Sequence, residues 1–326
     1  MANNSSLSTS QGDAPPNWGI VEMCNVVTAV IGGLLNTSVF ISLAVSRVIS
    51  VPFTIYLLNL LIANFLETAC AKLVNALLVV CLPCRTHALC DLYLFSNYLA
   101  MAGMINTHLL ISFNRLWAVT FPHSYRIHHS RKIAICICVA MWFYILSTVL
   151  PQLIRDSIYF RIPFSRHGRC MLNNDAQPIL YFVTLMVVYI IPEVVILLTF
   201  PVIWRKRKRY KKVVQLNLSA QQVNTKEIEN TGTRITALSR SPESSKSQRK
   251  SMQVLVILMV SMIICWTPVM GATVATCFVD FKNRIYFGVT TFLFALEAIT
   301  DPILFGVIFS REAFRDMWHR WMKVCQ

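Results

Sequence analysis

Long apolar stretches alternate along this chain with short polar connections. Seven of the stretches are long enough to cross a bilayer, because about 20 apolar residues span roughly 30 Å of hydrocarbon. They lie at 20–46, 52–80, 90–120, 132–153, 177–204, 252–279 and 285–309. The third is the least apolar, and Pro268 interrupts the sixth. The pattern predicts an all-α bundle of seven transmembrane helices over residues 20–309, which are called spans one to seven.

The polar segments outside the spans differ in character. Residues 1–19 form a tail in which Asn3 and Asn4 each begin an Asn-X-Ser glycosylation sequence, usable if this end is extracellular. Residues 205–250 are rich in Ser, Thr, Gln and Lys without apolar periodicity, which predicts a disordered loop. Residues 310–326 predict a short amphipathic eighth helix at the membrane interface, followed by Cys325 as a palmitoylation candidate. Its apolar stripe consists of Phe314, Met317, Trp318, Trp321 and Met322.

Composition excludes a fully soluble protein. The chain of 326 residues is 55% hydrophobic and only 14% charged, with a mean hydropathy of +0.55. A soluble chain usually carries about a quarter charged residues. Most of the 11 cysteines lie in apolar runs, so they do not predict a secreted disulfide scaffold, and no Cys/His pattern has zinc-site spacing. The N-terminus lacks the features of a cleavable signal peptide.

Basic residues favour one side of the membrane. With the N-terminus outside, the inner segments hold 22 Lys and Arg and the outer segments hold seven. Because cytoplasmic loops are enriched in these residues, the split predicts an extracellular N-terminus in a multi-pass protein of the plasma membrane. The basic run at 205–212 is then an anchor beside anionic lipids of the bilayer, and no nucleic-acid partner is predicted.

Sequence landmarks occur in order, about one in each span, and together they resemble the rhodopsin-like G-protein-coupled receptor family. The resemblance covers residues 20–323. The landmarks are Asn36, Asn64, Cys90, Asn114-Arg115-Leu116, Trp142, Pro151, Pro192, Cys265-Trp266-Thr267-Pro268 and Asp301-Pro302-Ile303-Leu304-Phe305.

The resemblance implies a receptor that transmits an extracellular ligand signal to a heterotrimeric G protein, with arrestin and kinases as further partners. It implies a disulfide between Cys90 and Cys170 that holds the second outer loop over the bundle. It also implies that Asn114 and Arg115 contact the G protein. The residues implied in the activation switch are Trp266, Pro268, Asp301, Pro302 and Phe305. A second bridge among the outer cysteines stays open, the candidates being Cys24, Cys81, Cys84 and Cys277.

Two departures from the family pattern have opposite effects. The acidic residue expected before Arg115 is Asn114, and the start of span six supplies no carboxylate to hold Arg115, so two restraints on the resting state are absent. Raised basal activity is the hypothesis that follows. Phe200 and Phe305 replace two tyrosines that help to hold the active state in the family, which weakens that state as well.

A polar core site is predicted from a third departure from the family pattern. The family places an Asp in span two and an Asn in span seven, whereas this chain has Asn64 and Asp301 there, so a buried hydrogen bond between the two spans can still form. Glu297 lies four residues before Asp301, on the same helical face. Two close acids do not both ionise readily in a low dielectric, so one is expected to be protonated or a cation such as sodium to lie between them. Asn36 completes the predicted site. The alternative is a packing amide at Asn64 and a water-linked hinge at Asp301.

The ligand is less clearly indicated. Span seven has no Lys for a retinal Schiff base, and Asn97 occupies the position where amine receptors carry an Asp, so neither ligand class is expected. Lys72 has either an anionic partner or a side chain that snorkels outward. The second outer loop is predicted to form two extended runs around a turn, a hairpin lid that resembles those of peptide receptors. The ligand is therefore expected to be a peptide or a small molecule. The candidate ligand-pocket residues are Lys72, Asn75, Asn97, Tyr98, Tyr181, Thr184 and Thr291.

Two other classes of membrane protein predict features that this sequence lacks. A transporter or channel predicts internal repeats or rings of polar pore residues, and none is found in the sequence. An intramembrane hydrolase requires a nucleophile, a base and an orienting group, or a metal site, and no such motif is found. The chain is therefore not predicted to be an enzyme.

Overall fold

The computed structural model describes residues 20–45, 52–81, 85–162, 170–206, 208, 242–278, 289, 292–294 and 296–305. The predicted glycosylation sites at Asn3 and Asn4, the eighth helix, Cys325 and Thr291 lie outside these residues.

The described chain is a helical bundle whose spans match the predicted ones closely. Six of its helices, spans one to six, are long and apolar enough to cross a membrane, and span seven is described in part. Span one is Ile20–Val45, span three is His87–Thr120 and span six is Pro242–Phe278. A short helix, Pro122–His128, follows span three. Span seven is helical at 292–294 and 296–305.

The other three spans each contain a π-helical segment. Span two consists of Pro52–Phe65, the π-helical Leu66–Lys72 and Leu73–Val80. Span four is Arg131–Arg155, continued by π-helical Asp156–Phe160. Span five runs from Pro178–Thr184 through π-helical Leu185–Ile190 to residue 206. Because a π-helical turn holds one more residue than an α-turn, each segment changes which side chains face the bundle.

Local sequence explains where several helices begin. The Thr86 side chain accepts a hydrogen bond from the Leu89 amide at 3.2 Å, which caps span three. The Ser130 hydroxyl accepts from the Ile133 amide at 3.4 Å and caps span four. Pro122 and Pro178 stand in the first turns of their helices, where a missing N–H has no effect on the hydrogen-bond ladder.

Span three lies at the centre of the bundle and packs against spans two and four. Asn59 of span two donates to the Thr107 hydroxyl at 2.6 Å and accepts from the Trp142 indole at 2.9 Å. Gly103 makes the close approach possible, because a Cβ there would lie 2.7 Å from the Trp142 ring. The family landmark Trp142 therefore ties span four to spans two and three.

Two boundary predictions are wrong. Span four was expected to end at residue 153, but it continues as a helix to Phe160, so the first of the two predicted extended runs of the lid is helical. No strand occurs in the described residues of that loop, 161–162 and 170–177. The helix of span six begins at Pro242, within the range predicted to be a disordered loop.

Candidate functional site

The outer mouth of the bundle is held by a disulfide and a charge cluster. Cys90 and Cys170 are disulfide-bonded with their Cα atoms 5.6 Å apart, as the family resemblance implied. Beside this bridge, the Arg161 guanidinium forms an ion pair with Asp91 and lies 2.7 Å from Asp156 Oδ2. These contacts join the top of span three to the end of span four and to the loop that carries Cys170.

A second disulfide is present among the outer cysteines. Cys81, at the outer end of span two, is also disulfide-bonded. Its partner is not Cys90 or Cys170, which bond to each other, and the four free cysteines of the described chain lie elsewhere: they are Cys70, Cys136, Cys138 and Cys265. The possibility that the sequence left open is therefore realised for Cys81.

The outer half of span two contains a buried ion pair. The Lys72 ammonium lies 3.0 Å from Glu67 Oε1, and both side chains are buried. In an α-helix, residues five apart point in different directions, but the π-helical segment Leu66–Lys72 aligns them because its hydrogen bonds join residues i and i+5. Lys72 therefore does not snorkel outward. Its anionic partner is Glu67, a residue that the sequence analysis did not single out.

The remaining pocket candidates that the structure describes lie on spans two, three and five. The Asn97 amide donates to the Met101 sulfur at 3.5 Å, and the Tyr98 carbonyl accepts from the Tyr189 hydroxyl at 2.9 Å. The Thr184 side chain is almost fully buried. Asn75 and Tyr181 are half-buried. The structure shows no single contact that unites these five residues.

The polar core contains the predicted hydrogen bond between spans two and seven. Asn64 Nδ2 donates to Asp301 Oδ2 at 3.1 Å, and both residues have no solvent exposure. Asn36 adds a second tie to span seven, because its Nδ2 donates to the carbonyl oxygens of Gly32 and Ala298, each at 2.8 Å. The exchanged amide and carboxylate thus face each other across the bundle.

Glu297 links this core to Trp266, one of the residues predicted to form the activation switch. The Trp266 indole N–H donates to Glu297 Oε2, and both residues are fully buried. The Trp266 ring also meets the edge of the Phe294 ring, with centroids 5.1 Å apart. Trp266 lies two residues inward of Pro268, which interrupts the hydrogen-bond ladder of span six. Phe305, one turn beyond Asp301, is fully buried as well.

His108 is the core residue that sequence reasoning missed. Its Nε2 lies 3.2 Å from Glu297 Oε1 and 3.7 Å from Asp301 Oδ2. The available signal was an ionisable side chain in the middle of an apolar run of span three, which marks a functional site by default. Without the arrangement of the helices, the sequence could not show that this face of span three meets span seven.

The atoms that surround the predicted sodium position suit that ion poorly. Hard cations prefer oxygen ligands, and the imidazole nitrogen of His108 lies against both carboxylates. A sodium site made of Asn64, Glu297 and Asp301 would have to accommodate that ring.

At the inner end of span three, Arg115 packs on aromatic rings. Its guanidinium carbon lies 3.4 Å from the centroid of the Phe53 ring. Close by, the Tyr125 and His129 rings stack at 4.5 Å, and the Tyr56 hydroxyl lies 3.1 Å from His129 Nε2. Burial and the positive charge of Arg115 lower the pKa of His129 below its ordinary value, so its ring is neutral at pH 7. Burial raises the pKa of Tyr125, although Arg115 acts in the other direction.

These features define a class: a multi-pass helical membrane protein with a disulfide at its outer mouth, a polar core and an inner arginine. The profile of the family described as 7 transmembrane receptor (rhodopsin family) matches residues 35–305. The chain belongs to this family, whose members are receptors rather than enzymes.

Individual relatives are distant. The muscarinic acetylcholine receptor M3 of Pongo pygmaeus is 26% identical over 167 residues, which is 50% of this chain and 27% of the relative. The D(1A) dopamine receptor of Xenopus laevis is 24% identical over 194 residues, covering 55% of this chain and 43% of the relative. The human muscarinic acetylcholine receptor M1 is 28% identical over 117 residues, or 36% and 25% of the two chains. The matches thus span about a quarter to under half of these relatives.

Proposed function

We propose that this protein is a plasma-membrane receptor, with its N-terminus outside, that couples an extracellular ligand to a heterotrimeric G protein. The observation that supports the proposal best is a continuous series of contacts from the outer half of the bundle to its polar core. Such a series of contacts can transmit a signal only if it ends at a helix that has two stable positions. Span six is the candidate for that helix, because Pro268 interrupts it and allows it to kink.

The series begins at the buried ion pair. The Lys72 ammonium lies 5.4 Å from the centroid of the Phe294 ring, which meets the Trp266 ring edge-on. Trp266 in turn donates to Glu297, which lies against His108. A ligand that displaces Lys72 or Phe294 therefore changes the packing of Trp266 next to the Pro268 kink.

The inner end of the bundle supports the coupling step. Arg115 lies seven residues beyond His108 on the same helix, which is about 10 Å further inward at 1.5 Å per residue. Its packing on Phe53 keeps the guanidinium within the bundle. Movement of span six away from span three would open the inner face and expose Arg115 to a G protein. Kinases that phosphorylate the loop 205–250, and arrestin, remain proposed partners on the same face.

The ligand class is proposed only as far as the charges allow. The named relatives bind acetylcholine or dopamine, but Asn97 supplies no anion for an amine in this chain. The Glu67–Lys72 pair offers one charge of each sign to a ligand that separates it. A peptide, which carries both charges at its termini or side chains, meets that requirement.

The decisive experiment measures complex formation between the purified receptor and nucleotide-free heterotrimeric G proteins, together with nucleotide exchange. Arg115→Ala should abolish both at an unchanged surface level. The matched control is Arg131→Ala, which removes an exposed arginine at the inner start of span four and should leave both unchanged. If the Arg115→Ala receptor couples as well as the wild type, the proposed route of signalling is wrong.

A further inference from the structure

We propose that His108, Glu297 and Asp301 form a binding site for a borderline divalent transition metal, with Zn²⁺ as the best chemical fit. The three side chains bring one nitrogen and two carboxylate oxygens within 4.8 Å of one another. His108 is 3% exposed and the two acids are fully buried. The proposal concerns metal binding alone and does not depend on G-protein coupling.

The ligand atoms are the ones that other contacts leave available. His108 Nε2, Glu297 Oε1 and Asp301 Oδ1 make no hydrogen bond among the described residues. The 3.2 Å approach of His108 Nε2 to Glu297 Oε1 is close but lacks hydrogen-bond geometry. Buried polar atoms without partners are costly, so three that converge from spans three and seven on one volume indicate a ligand site.

The other oxygen of each acid is already held. Trp266 donates to Glu297 Oε2, and Asn64 donates to Asp301 Oδ2. Hydrogen bonds of this kind orient the ligating atoms of metal sites, and their loss typically lowers metal affinity by about 10–100-fold. Trp266 therefore leaves Glu297 Oε1 beside His108, and Asn64 leaves Asp301 Oδ1 without a hydrogen bond. Both act as positioning residues.

The spacing matches a small tetrahedral ion. Zinc binds imidazole nitrogen and carboxylate oxygen at about 2.0–2.2 Å, so two ligands at a tetrahedral angle lie about 3.4 Å apart. His108 Nε2 lies 3.2 Å from Glu297 Oε1, and one ligand atom from each of the three residues lies within 4.8 Å of the other two. Three protein ligands leave a fourth position for water or another donor.

Charge also favours a divalent ion over sodium. Two carboxylates in a low-dielectric interior need two positive charges for full compensation, and a monovalent ion supplies only one. Among the described residues, Lys72 is already paired with Glu67. A protonated His108 would supply only one positive charge to the two acids, and its nitrogen could not then bind a metal. Imidazole nitrogen is a ligand for zinc, copper, nickel and iron, whereas sodium resembles the hard cations that take oxygen.

The test uses the full-length receptor, purified in detergent and stripped of metal with a chelator. Co²⁺ is the spectroscopic probe, because tetrahedral Co²⁺ absorbs visible light and Zn²⁺ displaces it without absorbing. The wild type should bind one equivalent of Co²⁺ with these bands, lose them on addition of Zn²⁺, and unfold at a higher temperature when Zn²⁺ is present. Sodium should reproduce none of these effects.

Three variants make the test specific. His108→Leu and Glu297→Gln should each weaken Zn²⁺ binding by at least about 100-fold, because removal of a ligand costs more than the roughly 10–100-fold lost with a hydrogen bond that only orients one. Glu297→Gln keeps the shape of the side chain, so it serves even if His108→Leu does not fold. His123→Leu, which removes an exposed histidine, is the control for surface binding and should retain the full effect. The proposal fails if both site variants bind Zn²⁺ as tightly as the wild type, or if sodium rather than Zn²⁺ stabilises the receptor.

Discussion

The outer and middle parts of the bundle balance buried charge differently from its inner end. In the outer part, the Lys72 ammonium pairs with the Glu67 carboxylate. In the middle part, the His108 imidazole lies against the Glu297 carboxylate. At the inner end, the Arg115 guanidinium lies on the Phe53 ring. Removal of one partner of a buried ion pair costs about 3–5 kcal/mol, whereas a cation–π contact contributes about 1–2 kcal/mol. The comparison indicates that loss of one partner is more damaging at the Glu67–Lys72 pair than at the contact between Arg115 and Phe53.

The largest expected effect is at the outer ion pair. Lys72→Met leaves the Glu67 carboxylate buried and uncompensated, which should destabilise the receptor by about 3–5 kcal/mol. The double variant Lys72→Met with Glu67→Leu removes both charges and should recover most of that loss. Thermal unfolding of the purified variants measures both. An additive double variant would show that the two residues do not act as a pair.

The next effect is at the exchanged amide and carboxylate. Asp301→Asn removes a charge-assisted hydrogen bond and should cost about 2 kcal/mol. Adding Asn64→Asp returns the carboxylate to the facing wall and should restore much of the stability and surface expression. A double-mutant cycle gives the coupling energy. Coupling near zero would mean that Asn64 is an ordinary packing residue.

A smaller effect is expected at the inner arginine, on activity rather than on folding. Phe53→Leu removes the ring under Arg115, so basal nucleotide exchange should rise about 5–30-fold, the factor that corresponds to a loss of about 1–2 kcal/mol of restraint. Phe53→Tyr keeps a ring and should behave as the wild type. Phe113→Leu, on the same half of the bundle but exposed, controls for a general loss of an aromatic side chain. Unchanged exchange in Phe53→Leu would exclude the ring as the restraint.

The smallest effect is a pH dependence from His129. Its pKa is lowered in the folded state by burial and by Arg115, so the fold favours the neutral ring. Stability from this residue is therefore complete above about pH 6.5, the ordinary histidine pKa, and is lost as the pH falls below it. Between pH 7.5 and 5.5, the unfolding midpoint of His129→Gln should fall by about 1–2 °C less than that of the wild type. His128→Gln, in which the lost ring is exposed, should follow the wild type.

Hydropathy and motifs were sufficient for much of the architecture. The spans were predictable because a bilayer requires long apolar helices, and the Asn64–Asp301 contact followed from two landmarks with known partners. The disulfide between Cys90 and Cys170 was predictable for the same reason. The Glu67–Lys72 pair was not, because α-helical periodicity places residues five apart on different faces.

Two further features depended on three-dimensional information. His108 joins the core only because span three lies at the centre of the bundle, which a single sequence does not reveal. The helical end of span four was missed because its Ser, Tyr and Arg residues resemble a loop. There, Ser157 donates to Asp91 at 2.7 Å, and Arg161 bridges Asp91 and Asp156.

The π-helical segment of span two also rotates the part of the helix that follows it. One extra residue in a turn rotates everything beyond it by about 100° relative to an uninterrupted α-helix. The outer third of the span, Leu73–Val80, therefore presents a different set of side chains to the bundle. Counting uninterrupted α-helical turns from Asn64 would assign the wrong set. A relative that lacks the extra residue would align with this chain by sequence and yet show other side chains to its ligand. Deletion of one residue between Glu67 and Lys72 should convert one arrangement into the other, so a single-codon change is enough to alter which side chains of Leu73–Val80 face the bundle.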